Sequence, residues 1–408
     1  LNYVRSFVRH AGPGEKFIYW GRGRKGGGAQ EKEKEIKDSP QRRRDAKSDA
    51  YPNVLARNYC EYEPVRFVPE MLRVAWHAWR HRREIESDAD ALFFQTSEAM
   101  LPWVCGRKRK PAVLIIHGGN ENIHTFLPWP WVRFYRMCDR LAIARADRVI
   151  VVSRQSIDYY ARTYPRHATK MTFLPTFADD SIVPRESAAE ARRALGIEGP
   201  PDRRVACFIG RLHPPKRLDL VIDSFAAVVR TKAAGGAGAG AAAEFPDALL
   251  CIAGDGPLLG EVRQRIERLG LGGEGGAAAP VRLMGVLGRR EVGLLFRASD
   301  ASFMLTDWEG TPLSLLESLA CGTPVIGSDV ADFRHIIQTG KNGFLVDNSN
   351  SPEAIGGRLA EIFAGRKVFA REAARTGAEY LASRAAPRVM EVIRNAAENY
   401  HKGTKTQR

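Results

Sequence analysis

One stretch, Leu305 to Gly327 (LTDWEGTPLSLLESLACGTPVIG), constrains the fold of this chain more than any other. The apolar run Ala301 to Leu305 just before it reads as a buried strand. Gly310-Thr311-Pro312 is a helix-start signature. Thr311 can cap, and Pro312 suits the first helical position because its missing N–H would be an orphan there anyway. Leu313 to Cys321 then reads as a helix with Leu316, Leu319 and Ala320 on its packing face. Gly322 ends it, and Pro324-Val325-Ile326-Gly327 opens the next strand. Two glutamates punctuate the unit, Glu309 and Glu317, with seven residues between them. The first lies in a loop at the carboxyl end of a strand, and the second more than one turn into the following helix. Ligands of open α/β sheets sit outside the carboxyl ends of the strands. A helix N-terminus there favours anions, and ionised carboxylates accept hydrogen bonds from sugar or ribose hydroxyls. Two glutamates alone are equally compatible with a surface Glu and a helix-face Glu that share no task.

The same alternation recurs along the chain. Strands start near Val205, Ala248, Val281, Ala301, Val325 and Gly343, with helical patterns between them, and predict a parallel, doubly wound α/β sheet. Upstream, Ala89 to Phe94, Pro111 to Ile116, Arg148 to Val152 and Met171 to Leu174 read as strands of a first domain. Residues 1–12 read as a helix and Lys16 to Trp20 as a strand. Residues 21–50 are almost free of apolar side chains and are expected to be a disordered insert. Pro69 to Arg83 reads as a basic helix with Leu72, Trp76 and Trp79 on one stripe. That stripe suits a membrane surface, but packing on the first sheet is the favoured reading. Two Gly/Ala-rich inserts, 233–243 and 272–279, read as surface excursions. Residues 351–365 form one more helix, and Ala370 to Tyr400 a long helical stretch with a break expected at Pro387.

The length of 408 residues suits two domains. No run of about eighteen apolar residues occurs, so no spanning helix is expected. The start carries no signal-peptide pattern. The six cysteines, Cys60, Cys105, Cys138, Cys207, Cys251 and Cys321, occur singly, which points to a reducing, cytoplasmic setting. The net charge of +15 suits nucleotide ligands, anionic membrane surfaces or nucleic acid. Much of it falls in inserts and tails. No recognition motif accompanies it, so nucleic acid is not an expected partner.

Two further motifs precede the glutamates: Phe208-Ile209-Gly210-Arg211-Leu212-His213-Pro214-Pro215-Lys216 and Ile252-Ala253-Gly254-Asp255-Gly256-Pro257. Together with the E-x7-E spacing and the run Ser318 to Ile326, they resemble the retaining glycosyltransferases of family 4, over about residues 90–400. The resemblance implies a GT-B fold, two Rossmann-like doubly wound domains facing a cleft. The expected division is an acceptor-side domain at 1–184, a nucleotide-sugar domain at 185–382, and a terminal segment at 383–408 crossing back to the first domain. Against the family pattern the chain is expected to begin inside its first domain, without the first strand and Gly-rich loop. It also has Thr-Phe-Ala-Asp, Thr176 to Asp179, where the family usually has Asn-Gly-Val-Asp.

By resemblance, Arg211 and Lys216 bind the diphosphate and stabilise it as leaving group, Glu309 sits by the donor sugar, and Glu317 accepts from the ribose hydroxyls. Backbone at Gly310, Thr311, Pro312 and Leu313 adds to the phosphate cradle, following Gly210. Gly254 and Gly256 allow close approach to the nucleotide, with Asp255 as a turn residue. The stretch Met284 to Leu287 lies where the family holds the base. His117 reaches the donor sugar across the cleft, and Asn120 and Glu121 are weaker candidates on the acceptor side. Catalysis would rest on positioning and on charge stabilisation of the departing diphosphate. Hydrolysis by paired carboxylates is the rival reading, which the basic strand-end context opposes. No clustered Asp/His set has metal-ligand spacing, so no metal or other cofactor is expected. Asp332 or its neighbour reads as a helix cap. The expected function is transfer of a sugar from a nucleoside diphosphate sugar to a hydroxyl of a glycan or lipid-linked acceptor, with peripheral membrane contact. The alternative is a catalytically silent nucleotide-sugar-binding protein of the same fold or a truncated fragment.

Overall fold

The structure is a computed structural model. It describes residues 79–105, 110–117, 128–229, 245–272, 279–309, 313–330 and 332–405, with Trp76 and four short strands nearer the start. Those strands pair in parallel, β1 (Phe17–Ile18) with β3 (Val54–Leu55) and β2 (Arg22–Arg24) with β4 (Cys60–Tyr62). Strand β2 corrects the expectation of disorder at its position. Ladder bonds are made by the backbone, so a stretch without apolar side chains can still pair. The helix expected over 1–12 and the rest of 21–50 lie outside the described residues. Contacts divide the chain into two compact units. One comprises Leu1–Val152, Ser156–Leu174 and Ala386–Arg408, the other Ser153–Gln155 and Pro175–Ala385.

The first unit contains a parallel sheet in the order β5 (Leu92–Phe94), β6 (Ala112–Ile116), β7 (Arg148–Val151), β8 (Met171–Phe173). Every residue of β6 is buried, as expected for a strand covered on both faces. Helices α1 (Trp129–Arg145) and α2 (Arg154–Thr163) supply Ala142, Ile143 and Tyr160 to its core. The buried Asp139 accepts from Ser97 Oγ at 2.6 Å and from Tyr160 Oη at 2.9 Å, which offsets its desolvation. Trp76 and Trp79 are 53% and 63% exposed, so the favoured reading of a stripe packed on the sheet fails for both. The short helix Arg82–Asp88 that follows buries Ile85 instead.

The second unit is organised by six parallel strands, β9 (Val205–Ile209), β10 (Leu249–Ala253), β11 (Val281–Gly285), β12 (Ala301–Met304), β13 (Val325–Ser328) and β14 (Gly343–Val346). Their spatial order is β11-β10-β9-β12-β13-β14. The chain therefore winds outward one way from β9, then returns to β12 on its other side and winds the opposite way. Side chains alternate between two cores. Ala206, Phe208, Leu250, Ile252, Phe303 and Ile326 enter one, while Val205, Cys207, Leu249, Cys251, Met304 and Val325 enter the other. Helices α4 (Leu218–Val229), α5 (Leu259–Arg268) and α8 (Pro352–Ala364) supply the first core. Helices α3 (Ala188–Ala194), α6 (Arg289–Ala298), α7 (Leu313–Ala320) and α9 (Arg366–Ala378) supply the second. No helix among the described residues is long and apolar enough to cross a membrane.

The break in the last helical stretch is not at Pro387. It falls between α9 and α10 (Ala382–Lys405), where Leu381 bridges Ala178. The Ala178 N–H donates to Tyr380 O at 2.9 Å and the Ala382 N–H to Ala178 O at 2.8 Å. Strand-like pairing takes this backbone out of the helix. Pro387 continues inside α10 at the loss of one backbone bond, with Ala386, Val389, Met390 and Ile393 buried around it.

Helix α9 packs on α7 through Gly377. A Cβ there would lie 2.1 Å from Ala320 N and 2.3 Å from Leu319 C. Gly377→Ala would gain up to about 1 kcal/mol of helix propensity. Overpacking against rigid backbone costs about 1–3 kcal/mol, so the clash wins. Denaturant titration of Gly377→Ala is expected to show a net loss of about 1–2 kcal/mol. An unchanged or raised midpoint would disprove the close helix contact.

Candidate active site

The reversal of strand order lies between β9 and β12, which pair directly. Loops leaving their carboxyl ends diverge there and leave a crevice, the usual ligand position in such sheets. The β9 loop carries Gly210, Arg211 and Lys216, and the β12 loop carries Glu309. Their backbones are joined, since the Asp307 N–H donates to Pro215 O at 2.9 Å. Between them Lys216 Nζ is ion-paired with Glu309 Oε2, and each side chain is about a quarter exposed. The structure thus brings together two residues singled out separately in sequence. Arg211 is exposed on the same loop.

Arg217 closes the β9 loop in a left-handed conformation, with φ 39°. It is the one non-glycine residue with positive φ among the described residues. That geometry costs about 1–2 kcal/mol. Contacts at 3.3 Å to both Asp219 and Asp307 hold it. Strain over-determined in this way is typical of loops that position functional groups. Sequence reading passed over Arg217, and no local signal marks it.

Gly254 and Gly256 need no side chain for a reason different from the expected one. A Cβ at Gly254 would lie 1.8 Å from Gly210 O, and one at Gly256 2.3 Å from Leu212 O. The approach that excludes larger residues is between the β10 and β9 loops of the protein itself. The Leu212 N–H donates to Asp255 O at 2.9 Å, and the Asp255 carboxylate accepts from the Gly256 N–H at 2.7 Å, a turn role as expected. These glycines clamp the loop that carries Arg211 and Lys216.

Glu317 is buried, 8% exposed, on a helix whose other buried residues are apolar except for Ser318, which is satisfied by Ser302 Oγ and Thr323 O. A buried carboxylate needs a cation or donors. Arg289 supplies them, Nη1 to Glu317 Oε1 at 2.7 Å. Arg289 opens α6, just after Leu287 and Gly288. The Glu291 carboxylate accepts from the Gly288 N–H at 2.7 Å and so fixes that helix start. Arg289 was missed in sequence. The clue was the Glu itself, since a carboxylate in LSLLESLA requires a partner. Leu287 is half-buried against the second core, and Val286 beside it is 76% exposed. Leu313 is exposed at the start of α7, whereas Gly310, Thr311 and Pro312 lie outside the described residues. Asp332 stands at the N-cap position of Phe333–Ile336 but makes no side-chain cap bond there; its carboxylate accepts instead from the Arg154 N–H at 3.0 Å and from Ser153 Oγ at 3.2 Å. No group of three or more His, Cys, Asp or Glu side chains among the described residues could hold a metal ion.

His117 belongs to the first unit, directly after β6. Its Nε2 lies 2.8 Å from Gln95 Oε1, so a neutral ring protonated on Nε2 donates to that amide oxygen. Desolvation of the charged form lowers its pKa to about 4. Asn120 and Glu121 lie outside the described residues.

Comparison with known proteins agrees with this architecture. The family described as glycosyl transferases group 1 matches residues 191–379, and glycosyltransferase family 4 matches residues 37–182. A D-inositol 3-phosphate glycosyltransferase of Actinosynnema mirum is 27% identical over 234 residues, 55% of this chain and 53% of the relative. A 2-deoxystreptamine N-acetyl-D-glucosaminyltransferase of Streptomyces fradiae is 29% identical over 242 residues, 58% of this chain and 53% of the relative. The chain spans about half the length of the curated relatives it matches. Among solved structures, Anabaena Alr3699/HepE in complex with UDP and glucose aligns with TM-score 0.61 and 18% identity, covering 92% of this chain and 98% of that one. WaaG, a glycosyltransferase involved in lipopolysaccharide biosynthesis, aligns with TM-score 0.66 and 16% identity, covering 96% and 95%. With both family matches and this fold, the chain belongs to the family-4-like, group 1 glycosyltransferases of the GT-B fold.

Proposed function

We propose that the protein transfers a sugar from a nucleoside diphosphate sugar to an acceptor hydroxyl, with retention at the anomeric carbon. The observation that carries this reading is the pair of ion pairs, Lys216–Glu309 and Arg289–Glu317, on elements flanking the reversal of strand order. Lys216 and Arg211 suit the diphosphate, the one as a point charge and the other as a planar fork. An ion pair exposed like Lys216–Glu309 is worth about 0–1 kcal/mol, so an arriving diphosphate displaces it readily. Glu309 is then released toward the sugar. Glu317 keeps its Oε2 for ribose hydroxyls while Arg289 holds its Oε1. The protein adds positioning and stabilises charge on the leaving phosphate, and no metal or other cofactor has a part. UDP is the proposed nucleotide, in keeping with the HepE complex.

The acceptor is proposed to be a glycan or lipid-linked hydroxyl. The names of the two curated relatives add polyhydroxylated rings to the candidates. Exposed aromatics on the first unit support peripheral membrane contact from a cytoplasmic location. Trp129 lies under the Arg133 guanidinium at 4.7 Å, Trp76 under Arg80 at 5.7 Å, and Met137 is 46% exposed. Aromatic and basic side chains together suit an anionic lipid interface.

Binding of a panel of UDP-sugars, followed by turnover, tests the reading. Glu317→Ala is expected to weaken donor binding roughly 10- to 100-fold, the range for a hydrogen bond to a charged group. Arg289→Ala should lose less, roughly 3- to 10-fold, because it acts by holding Glu317. Lys216→Ala should reduce kcat by roughly 10²- to 10³-fold, since its charge matters most as the diphosphate departs. Unchanged donor binding in Glu317→Ala would remove the assigned site.

His117 is proposed to serve as a neutral hydrogen-bonding group and not as an acid. Its folded pKa lies below the ordinary 6.5, so the unfolded chain binds more protons between about pH 6.5 and pH 4. Its contribution to stability is therefore complete above pH 6.5 and is lost as pH falls toward 4. Imidazole NMR shifts should show a neutral ring at pH 6, and His117→Gln should flatten the acid limb of the stability profile. A ring titrating near 6.5 would contradict this.

A further inference from the structure

We propose that the second unit binds a small phosphorylated organic molecule in a pocket at the amino ends of its strands, the opposite end of the sheet from Glu309 and Glu317. A cavity of about 690 Å³ opens there, where Val205 begins β9, Asp300 precedes β12, and Gly322 follows α7 on the way to β13. Its volume is within the range of roughly 300–1,000 Å³ typical of small-molecule sites, and larger than one inorganic phosphate needs.

The walls carry two kinds of cation. Arg192 is committed to structure. Its Nε donates to Ala298 O at 2.8 Å, its Nη1 to Arg203 O at 3.0 Å, and its Nη2 to Asp300 Oδ2 at 2.9 Å. Asp300 Oδ2 also accepts from the Val205 N–H at 2.9 Å, so this carboxylate is spent on bracing the strand starts. Arg193, Arg297, Arg366 and Lys367 line the same cavity together with Glu198, and among the described residues none of the four is held by several bonds as Arg192 is. Arg366 approaches Asp300 only to 3.7 Å. Arg297 Nε is buried and makes no hydrogen bond with any described residue. A buried donor without an acceptor is unfavourable, and an anion in the cavity would supply one. Arg366 and Lys367 also open the thirteen-residue helix α9, whose N-cap Gly365 offers no side-chain acceptor. The helix dipole therefore favours negative charge on the same side. Four cations, an orphan guanidinium nitrogen and a helix start fit a phosphate group. Ile197 and Pro200 add an apolar wall that fits a carbon skeleton.

Both helices that carry the Arg289–Glu317 pair end at this pocket. Arg289 starts α6 and Arg297 lies in its last turn, about 12 Å along the axis at the usual helical rise. Glu317 lies on α7, whose end leads into Cys321 and Gly322 at the cavity. A ligand here touches the far ends of two elements that position the candidate active site.

Calorimetric titration of the full chain with glucose 6-phosphate, in saturating UDP, tests the proposal apart from any reading of the nucleotide site. Arg193 and Lys367 are exposed, so R193E/K367E should keep the fold, checked by its melting curve. Binding of glucose 6-phosphate is expected in the parent, at least tenfold weaker in R193E/K367E and weaker again when Arg297→Gln is added. Inorganic phosphate should bind less tightly than glucose 6-phosphate, and glucose not at all. Equal affinity in R193E/K367E, displacement by UDP, or no binding of either phosphate would overturn the site. Binding of inorganic phosphate as tight as that of glucose 6-phosphate would overturn the assignment of an organic ligand.

Discussion

A parallel sheet buried on both faces leaves chemistry nowhere to go except the strand ends. Strands β9, β12 and β13 have almost no exposed residue, and their side chains alternate between two apolar cores. Polar groups of the second unit are thereby pushed into loops at the two edges of the sheet. At the carboxyl edge the order reverses between β9 and β12, so the loops bearing Lys216 and Glu309 part company while their strands stay paired. The crevice follows from topology, and its charges follow from what those loops contain.

Within it each carboxylate already has a cation. For Glu317 this is obligatory: at 8% exposure on a helix packed against the second core, an ionised carboxylate without Arg289 would be strongly unfavourable. For Glu309 it is optional, since both partners keep solvent. Roles follow from that contrast. A deeply held pair gives one fixed acceptor oxygen, suited to reading hydroxyls. A shallow pair can be exchanged for a ligand's phosphate at little cost. The strained Arg217 and the glycine contacts of Gly254 and Gly256 serve the same end, because they leave the Lys216 loop one arrangement against its neighbours.

Much of this architecture was legible in sequence. The strand starts from Val205 to Gly343 and the helix after Pro312 follow from apolar runs and from Gly and Pro punctuation, which are local properties. What was not legible depends on distant partners. Arg289 becomes significant only when α6 lies against α7, and nothing near it in sequence shows that. Gly254 reads like a nucleotide-facing glycine, but its restriction comes from Gly210 O on the neighbouring loop. Pro387 looked like a helix breaker, and the break was set instead by Leu381 pairing with Ala178, two hundred residues away in the chain by count of roughly that order. Trp76 and Trp79 recur at helical spacing, but spacing alone does not say whether a stripe meets protein or solvent.

The two edges of the second sheet solve their electrostatics differently. At the carboxyl edge cations and carboxylates are matched: Lys216 with Glu309, Arg289 with Glu317, Arg217 with Asp219 and Asp307. At the amino edge Asp300 is already occupied by Arg192 and the Val205 N–H, Arg366 approaches it only to 3.7 Å, and Arg193, Arg297 and Lys367 line the same cavity with Glu198. Random placement of surplus charge would scatter arginines over solvated helix faces, where each is hydrated and independent. Here they converge on a concave surface with one guanidinium nitrogen dry. Like charges that converge repel one another, and in a folded protein that repulsion is sustained by packing or relieved by a counter-ion. The matched edge can exchange its partners for a ligand. At the amino edge the carboxylate among the cations, Asp300, is committed to Arg192 and to the start of β9, so the two ends of one sheet suit different kinds of anion.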